Sequence, residues 1–231
     1  MQSNVLDFPP VSASSISAFP ASCCLPLQSH ELRTPLTAIH GFADALASRR
    51  SDPQVPELAR EISQNAGRLE QVVKNFLDMG RIEAGQLKLQ KREVDVEELV
   101  RGVWARLKSQ VEQRQVQFQF PATPIVIPAD SVLLAQAIEN VLKNALTYTP
   151  ADAIINVQLT SDGLQARLTI KDNGPGLGVE PANVFEKFWR GNPGKTGGTG
   201  LGLSIAHAFV ELHEGTLVAE NVRGGGALFR F

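Results

Sequence analysis

The amino-acid sequence predicts an α+β fold, in which a helical hairpin precedes a sandwich of helices on a sheet. Between Pro26 and Glu83, apolar residues recur at spacings of three and four, which is typical of amphipathic helices. Beyond Gly85, short stretches of alternating apolar and polar residues are interspersed with helical stretches. Strands in hairpins combined with separate helices are typical of an α+β sandwich.

Residues 1–25 are predicted to form an irregular N-terminal tail. They are interrupted by Pro9, Pro10 and Pro20 and are rich in serine and alanine. Such a composition buries little apolar surface, so we expect no packed structure before the first helix.

Residues 26–88 form the predicted hairpin domain. The first helix starts near Pro26 and bends at Pro35, because a proline inside a helix removes a hydrogen bond. The second helix ends near Glu83, and Gly85 follows as a stop signal. A lone hairpin leaves its apolar stripes half exposed, so we expect a homodimer whose two hairpins pair into a four-helix bundle.

Residues 89–231 form the second predicted domain, a mixture of strands and helices. A short strand is also predicted across the boundary of the two domains, at Leu87 and Leu89, which alternate with polar residues. The further predicted elements are helices over 96–108, 131–146 and 201–212, and strands over 116–120, 125–127, 155–159, 164–170, 217–219 and 227–231.

Composition excludes several classes of function. The 22 basic and 24 acidic side chains nearly balance, so the chain has no net positive charge that would attract nucleic acid. The adjacent Cys23 and Cys24 cannot build a disulfide framework. The sequence contains no run of 18 apolar residues, the length needed to span a membrane. It also has no basic segment ahead of an apolar stretch, as a secretion signal would have. We therefore expect a cytoplasmic chain without a membrane segment.

The first candidate site is the stretch from Ser29 to Leu36, around His30. This histidine is offset from the apolar stripe of its helix, so its imidazole should reach solvent and act as a nucleophile near neutral pH. Glu31 is placed to accept the other ring N–H, and Thr34 lies one turn further on. A solvated surface histidine remains the alternative for these residues alone.

The second candidate site is a polar edge on the helix predicted over 131–146. Gln136, Asn140 and Asn144 recur every four residues, opposite an apolar face. Asn140 offers an amide oxygen, which suits Mg²⁺ held jointly with ATP phosphates. A solvated helix face is the alternative.

The third candidate site follows the strand predicted over 164–170. Asp172 continues the inward parity of that strand, so a carboxylate is aimed at the interior and needs a partner. The exocyclic amine of adenine is a suitable donor. Gly174 and Gly176 allow the backbone to turn tightly beside a planar base. An ordinary turn is the alternative.

The fourth candidate site is the glycine-rich run 194–203, which enters a helix. Glycines before a helix N-terminus expose N–H groups to phosphate oxygens, and the spacing is not that of a Walker A loop. Just upstream, Lys187 and Arg190 could stabilise the charge of a γ-phosphate. The candidate contacts in the run itself are Gly198, Thr199, Gly200, Leu201 and Gly202.

Taken in this order, these segments resemble the motifs of the sensor histidine kinases. SHELRTPL is similar to the H box, NVLKNALTYTP to the N box, DNGPGLG to the G1 box, VFEKFWRG to the F box and GGTGLGLSI to the G2 box. The resemblance covers residues 27–231. Three segments are most similar to the branch of potassium-responsive KdpD sensors: FLDMGRIEAG, DNGPGL and FEKFWRGN.

The resemblance implies a phosphoacceptor hairpin followed by an ATP-binding domain of the type shared with Hsp90 and MutL, the Bergerat fold. By it, His30 is the phosphoacceptor, Glu31 its base and Thr34 a phosphatase-type residue. It also implies ATP and Mg²⁺ as cofactors and the receiver domain of a response regulator as partner. The implied nucleotide contacts of the N box are Asn140, which also binds the metal, together with Lys143, Asn144 and Tyr148.

Two positions depart from related patterns. Gln136 stands where Hsp90-like hydrolases have a glutamate that activates water, and an amide cannot act as that base. Thr147 stands where the family usually has a basic residue.

Two other functions stay open at this point. A core acting mainly as a phosphatase would use Glu31 and Thr34, whereas a degenerate ATP-binding dimer would only scaffold a partner. The presence of His30, Asn140 and Asp172 together favours the kinase.

Overall fold

The computed structural model of the protein describes residues 55–108, 115–178, 181–187, 189 and 200–231. Several predictions lie outside these ranges: the irregular tail, the first helix of the hairpin, and the roles of His30, Glu31, Thr34, Arg190, Gly198 and Thr199. Among the described segments, no helix combines the length and the apolar character that crossing a bilayer requires.

The second helix of the predicted hairpin is α1, which runs over Val55–Glu83. It ends as predicted, since Gly85 has a φ of +63° and its N–H donates to the carbonyl of Ile82 at 3.0 Å. Three large apolar side chains on α1 are exposed at spacings of seven residues: Ile62, Leu69 and Phe76 are 47%, 51% and 65% exposed. A spacing of seven keeps side chains on one side of a helix, so they form one apolar stripe.

The strand predicted at Leu87 and Leu89 is wrong, because residues 86–91 form no strand. Alternation alone does not supply a pairing partner. The N–H of Gln90 donates instead to a carboxylate oxygen of Asp130 at 2.9 Å. Strand pairing starts two residues later, where β1 (Arg92–Asp95) runs antiparallel to β3 (Val126–Ala129).

The rest of the domain forms a five-stranded sheet with helices, which confirms the predicted α+β class. The strands are β2 (Gln115–Gln119), β4 (Ile154–Ser161), β5 (Ala166–Asp172), β6 (Val218–Asn221) and β7 (Ala227–Arg230). The helices are α2 (Val96–Lys108), α3 (Ser131–Tyr148), a 3₁₀ helix (Pro181–Phe185) and α4 (Gly202–Leu212). The strand order in the sheet is β2-β4-β5-β7-β6, with β2 parallel to β4 and the other neighbours antiparallel.

The hydrophobic core lies between one face of this sheet and the helices. Alternate residues of the strands point into it, and α3 and α4 contribute the opposite layer. Since burial of such side chains is the main favourable term in folding, this layer fixes how α3 and α4 sit on the sheet. Fully buried members include Ile155, Val157 and Phe229 from the strands and Ile138, Val141, Ile205 and Phe209 from the helices.

The hairpin between β4 and β5 corrects one predicted position. Leu164 is 95% exposed and lies in the turn, although its parity predicted an inward side chain at the start of the strand. The carboxylate of Asp162 accepts from the N–H groups of Leu164 at 3.0 Å and Gln165 at 2.8 Å, which extends the turn to Gln165. The strand therefore begins at Ala166.

Helix α3 is anchored at its start by Asp130. Its carboxylate accepts from the N–H groups of Val132 and Leu133, as expected of an N-cap residue, and its own N–H donates to the ring of His213. Burial raises the pKa of the Asp130 carboxyl, but the N–H donors of Gln90, Leu133 and Val132 outweigh it and hold the pKa below its usual value. This contribution to stability is present at neutral pH and is lost as the pH falls through that lowered pKa.

Candidate functional site

The N-terminus of α4 meets the middle of α3 at Asn140. A Cβ built on Gly202 would lie 3.7 Å from the amide oxygen of Asn140, so the two helices approach closely there. Gly200 has a φ of +71° and Leu201, just before α4, is 3% exposed. The structure thus brings together the second candidate site and the described end of the fourth, residues 200–203.

Asn140 has an unmet hydrogen-bonding group. Its Nδ2 atom is buried and finds no partner among the described residues. A buried polar group without a partner costs about 1–3 kcal/mol. An amide held this way beside a helix N-terminus is therefore suited to a polar ligand, and its oxygen to a hard cation such as Mg²⁺.

Asp172 ends β5 and is 5% exposed, so the burial predicted from its parity is confirmed. Its Oδ1 accepts from the N–H groups of Gly174 at 2.9 Å and Ala227 at 3.2 Å. Among the described residues, both hydrogen bonds of this carboxylate go to Oδ1, which leaves Oδ2 for a ligand.

The loop after Asp172 needs its glycines for space. A Cβ on Gly174 would lie 2.7 Å from the methyl carbon of Thr149. Gly176 has a φ of +82°, and a Cβ there would lie 2.8 Å from Oδ1 of Asn221. Sequence reasoning found both glycines but missed Thr149 and Asn221, which come from distant parts of the chain.

A second glycine cluster, at residues 224–226, was also missed. Gly226 has a φ of +101°, and a Cβ there would overlap the carbonyl oxygen of Asp172. The backbone of the β6–β7 turn therefore lies directly against the end of β5. Three consecutive glycines in the printed sequence were the available signal.

The remaining N-box residues line the same helix. Lys143 pairs with Glu139 at 2.7 Å, and Arg106 on α2 also contacts Glu139 at 3.5 Å. Burial raises the pKa of Glu139, but the two cations outweigh it and keep its pKa below the usual value. Lys143 is thus engaged within the protein. Asn144 and Tyr148 are half-buried, and their roles toward a nucleotide stay predictions, as does that of Lys143.

Thr147, one of the two positions that depart from the related patterns, is hydrogen-bonded within its own helix. Its hydroxyl donates to the carbonyl of Lys143 at 2.7 Å. It therefore supplies no cation at the end of α3.

Lys187, predicted to meet a γ-phosphate, pairs with Glu83 at the end of α1. Both side chains are about half exposed, at 48% and 57%. Exposed ion pairs contribute about 0–1 kcal/mol, so a phosphate could displace Glu83 at little cost.

Gln136, which the spacing places on one polar edge with Asn140 and Asn144, does not face solvent, so the alternative of a solvated helix face does not hold for this residue. It is 9% exposed, and its amide nitrogen donates to the carboxylate of Asp78 on α1 at 2.7 Å. Asp78 is itself 8% exposed, and the neighbouring Asn75 is 5% exposed. A hydrogen bond between residues 58 positions apart could not be read from local spacing. It joins the hairpin helix to the helix that carries Asn140.

We expect Gln136→Leu to lower the free energy of unfolding by about 2 kcal/mol or more, because it leaves the Asp78 carboxylate buried without its donor. In an Asp78→Leu background the same change should cost much less, since both partners are then gone. Urea unfolding of the four chains measures this coupling.

The matched control is Glu139→Gln on the same helix. It weakens a half-exposed ion pair and should cost about 1 kcal/mol or less. Equal costs of Gln136→Leu in the two backgrounds would contradict the role assigned to the Asp78–Gln136 bond.

Two family models match the chain. Residues 28–85 match the His Kinase A (phospho-acceptor) domain, and residues 129–231 match the histidine kinase-, DNA gyrase B- and HSP90-like ATPase. Sensor protein KdpD of Escherichia coli is 36% identical over 206 residues, which are 87% of this chain and 23% of KdpD. The chain thus spans less than a quarter of that relative.

Solved structures share the fold. Full-length ShkA in complex with AMPPNP has a TM-score of 0.71 at 26% identity, over 90% of this chain and 44% of ShkA. Histidine kinase ThkA in complex with the response regulator protein TrrA has a TM-score of 0.59 at 22% identity, over 88% of this chain and 59% of that one.

Proposed function

The chain belongs to the sensor histidine kinases, whose catalytic core it carries, and from this membership we propose that it binds ATP and transfers the γ-phosphoryl group to His30. The observation that carries the proposal is the buried Nδ2 atom of Asn140, which has no hydrogen-bond partner among the described residues and lies beside the N-terminus of α4. A phosphate oxygen would accept a hydrogen bond from this N–H donor, and the amide oxygen of the same side chain would be left for a metal ion.

At the base end, Oδ2 of Asp172 would accept from the exocyclic amine of adenine. Gly174 and Gly176 let the loop backbone pack closely against Thr149 and Asn221, since a Cβ at either position would collide with them, and this packing fixes the backbone that would flank the base. A carboxylate that is already held on its other oxygen loses little freedom when it binds the base.

At the phosphate end, Asn140 would hold Mg²⁺, which neutralises charge on the phosphates when bound. The N–H groups of Gly200, Leu201 and Gly202 precede and open α4, where the helix dipole favours an anion. The proposed lid residues Gly198, Thr199, Lys187 and Arg190 would close over the phosphates, with Lys187 leaving Glu83 to do so.

In the proposed transfer, a ring nitrogen of His30 attacks the γ-phosphorus in line. The nitrogen–phosphorus bond forms as the bond from phosphorus to the bridging oxygen breaks, and ADP leaves with that electron pair. Glu31 would take the proton from the other ring nitrogen. Gln136 cannot activate water in the way a glutamate would, which favours transfer to histidine over hydrolysis.

The proposed assembly is a homodimer that serves a response regulator. The exposed stripe of Ile62, Leu69 and Phe76 on α1 would be covered in a four-helix bundle formed by two hairpins. The phosphoryl group would then pass to an aspartate in the receiver domain of a regulator, the class of partner with which ThkA was crystallised.

Labelled ATP with Mg²⁺ tests the proposal. We expect acid-labile, alkali-stable label on the wild-type chain and none on His30→Ala, because a phosphorylated imidazole hydrolyses in acid. His40→Ala, ten residues along the same predicted helix, is the matched control and should label like the wild type. Label that persists in His30→Ala would overturn the assignment.

A further inference from the structure

We propose that Asn221 is a positioning residue for nucleotide binding. It holds in place the loop over residues 172–177, which would contact the adenine base. The inference rests on the proposed binding of ATP and deepens it. Asn221 is the last residue of β6, an edge strand, and none of the sequence motifs includes it.

Asn221 and its neighbour across the sheet grip the two ends of the loop over residues 172–177. In the antiparallel pairing of β6 with β7, Asn221 lies opposite Ala227. The N–H of Ala227 donates to Asp172 at 3.2 Å, at the start of the loop. Oδ1 of Asn221 accepts from the N–H of Leu177 at 2.7 Å, at its end. The paired residues Asn221 and Ala227 therefore hold both ends of this loop.

The contact is also tight enough to define position. A Cβ on Gly176 would lie 2.8 Å from Oδ1 of Asn221 and 3.3 Å from the carbonyl oxygen of Gly226. The loop cannot move closer to β6, and the hydrogen bond to Leu177 keeps it from moving away.

The support behind Asn221 is itself closed by backbone hydrogen bonds. The N–H of Val222 donates to the carbonyl of Gly226 at 2.9 Å, and the N–H of Gly225 donates to that of Val222 at 3.1 Å. Asn221 thus adjoins a turn that is held by its own hydrogen bonds, and it limits the movement of the loop.

Loss of this acceptor should act on binding and spare the chemistry. Asp172 keeps its two N–H donors, so the start of the loop stays in place, whereas Gly176 and Leu177 lose their anchor. The base makes the same contacts in the bound ground state and in the transition state of transfer. Loss of the Asn221 acceptor should therefore raise KM for ATP and leave kcat unaltered.

The experiment compares Asn221→Ala with Asn221→Asp in the full chain, with ATP and Mg²⁺ as the probe. We expect Asn221→Ala to weaken ATP binding about tenfold, which corresponds to 1.4 kcal/mol. KM should rise by the same factor and kcat at saturating ATP should stay the same. Asn221→Asp keeps an acceptor oxygen for Leu177 and should bind within about threefold of the wild type.

Glu220→Ala is the matched control, one residue earlier on the same strand. Glu220 pairs with Arg230 at 3.3 Å and is about half exposed. It should bind ATP as the wild type does.

The outcomes separate the two proposals. Wild-type affinity in Asn221→Ala, an unchanged KM with a reduced kcat, or equal losses in Asn221→Ala and Asn221→Asp would overturn the role of Asn221 while ATP binding by the wild type still stands. Absence of ATP binding by the wild type would instead overturn the proposed function. A loss in Asn221→Ala that Asn221→Asp restores supports the positioning role.

Discussion

Asp172→Asn is expected to fold like the wild-type chain but to bind ATP about a hundredfold more weakly. The amide oxygen of asparagine can still accept from the N–H groups of Gly174 and Ala227, as Oδ1 of the carboxylate does. The amide nitrogen then takes the place of Oδ2 and presents a donor to the donor amine of adenine.

The size of the effect follows from two losses. A hydrogen bond to a charged group contributes about 1.5–3 kcal/mol, and a buried group left unsatisfied costs about 1–3 kcal/mol. A total of about 3 kcal/mol corresponds to a little more than a hundredfold in affinity. Calorimetric titration with ATP and Mg²⁺ measures it, and urea unfolding should show a change of about 1 kcal/mol or less.

The chain offers a matched control at the other end of the same hairpin. Oδ1 of Asp162 likewise accepts from two backbone N–H groups, those of Leu164 and Gln165, but this carboxylate is exposed and lies in the turn before β5. Asp162→Asn should leave ATP affinity unchanged. Similar affinities of Asp172→Asn and the wild type would show that the base is held by other groups.

The second large effect is expected at Gly226. The Cβ of alanine there would overlap the carbonyl oxygen of Asp172 and lie 2.9 Å from its carbonyl carbon and 3.1 Å from Cα of Asn173. All three are backbone atoms, so β5 and β7 must separate where they support the loop. We expect Gly226→Ala to lower the free energy of unfolding by about 4 kcal/mol, in the range reserved for severe structural conflicts.

Gly224→Ala is the control that separates the cost of the steric clash at Gly226 from the cost of a positive φ. Gly224 has a φ of +91° but no atom within 4 Å of a Cβ, so alanine there costs only the left-handed conformation, about 1–2 kcal/mol. Chemical unfolding of both variants gives the comparison. Equal destabilisation would mean that the close approach to Asp172 contributes nothing.

Much of the fold follows from local patterns in the sequence. The helix over Val96–Lys108 and the stop at Gly85 were predicted as observed, because periodicity and a glycine with positive φ are local properties. Asp172 was expected to be buried because the parity of its strand is set by its neighbours. Leu164 broke the same parity, since Asp162 competes for its backbone N–H and lengthens the turn.

The parts of the site that could not be predicted depend on contacts between distant segments. Asn221 and Gly226 come from the last hairpin and meet a loop that lies about 44 to 55 residues earlier. Gln136 reads locally as part of a polar edge, yet it is buried against Asp78. Spacing in the sequence reports which residues share a helix face, but not which element covers that face.

The bond between Gln136 and Asp78 has a mechanical consequence for the site. Gln136 and Asn140 are one helical turn apart, about 6 Å along the axis of α3, and a helix does not deform appreciably over one turn. A pull of α1 on Gln136 therefore shifts the amide of Asn140 as well. By reciprocity, a ligand that immobilises Asn140 also restrains α1. Helix α3 thus connects the hairpin helix, which it contacts at Gln136, to the proposed phosphate site, which it carries at Asn140.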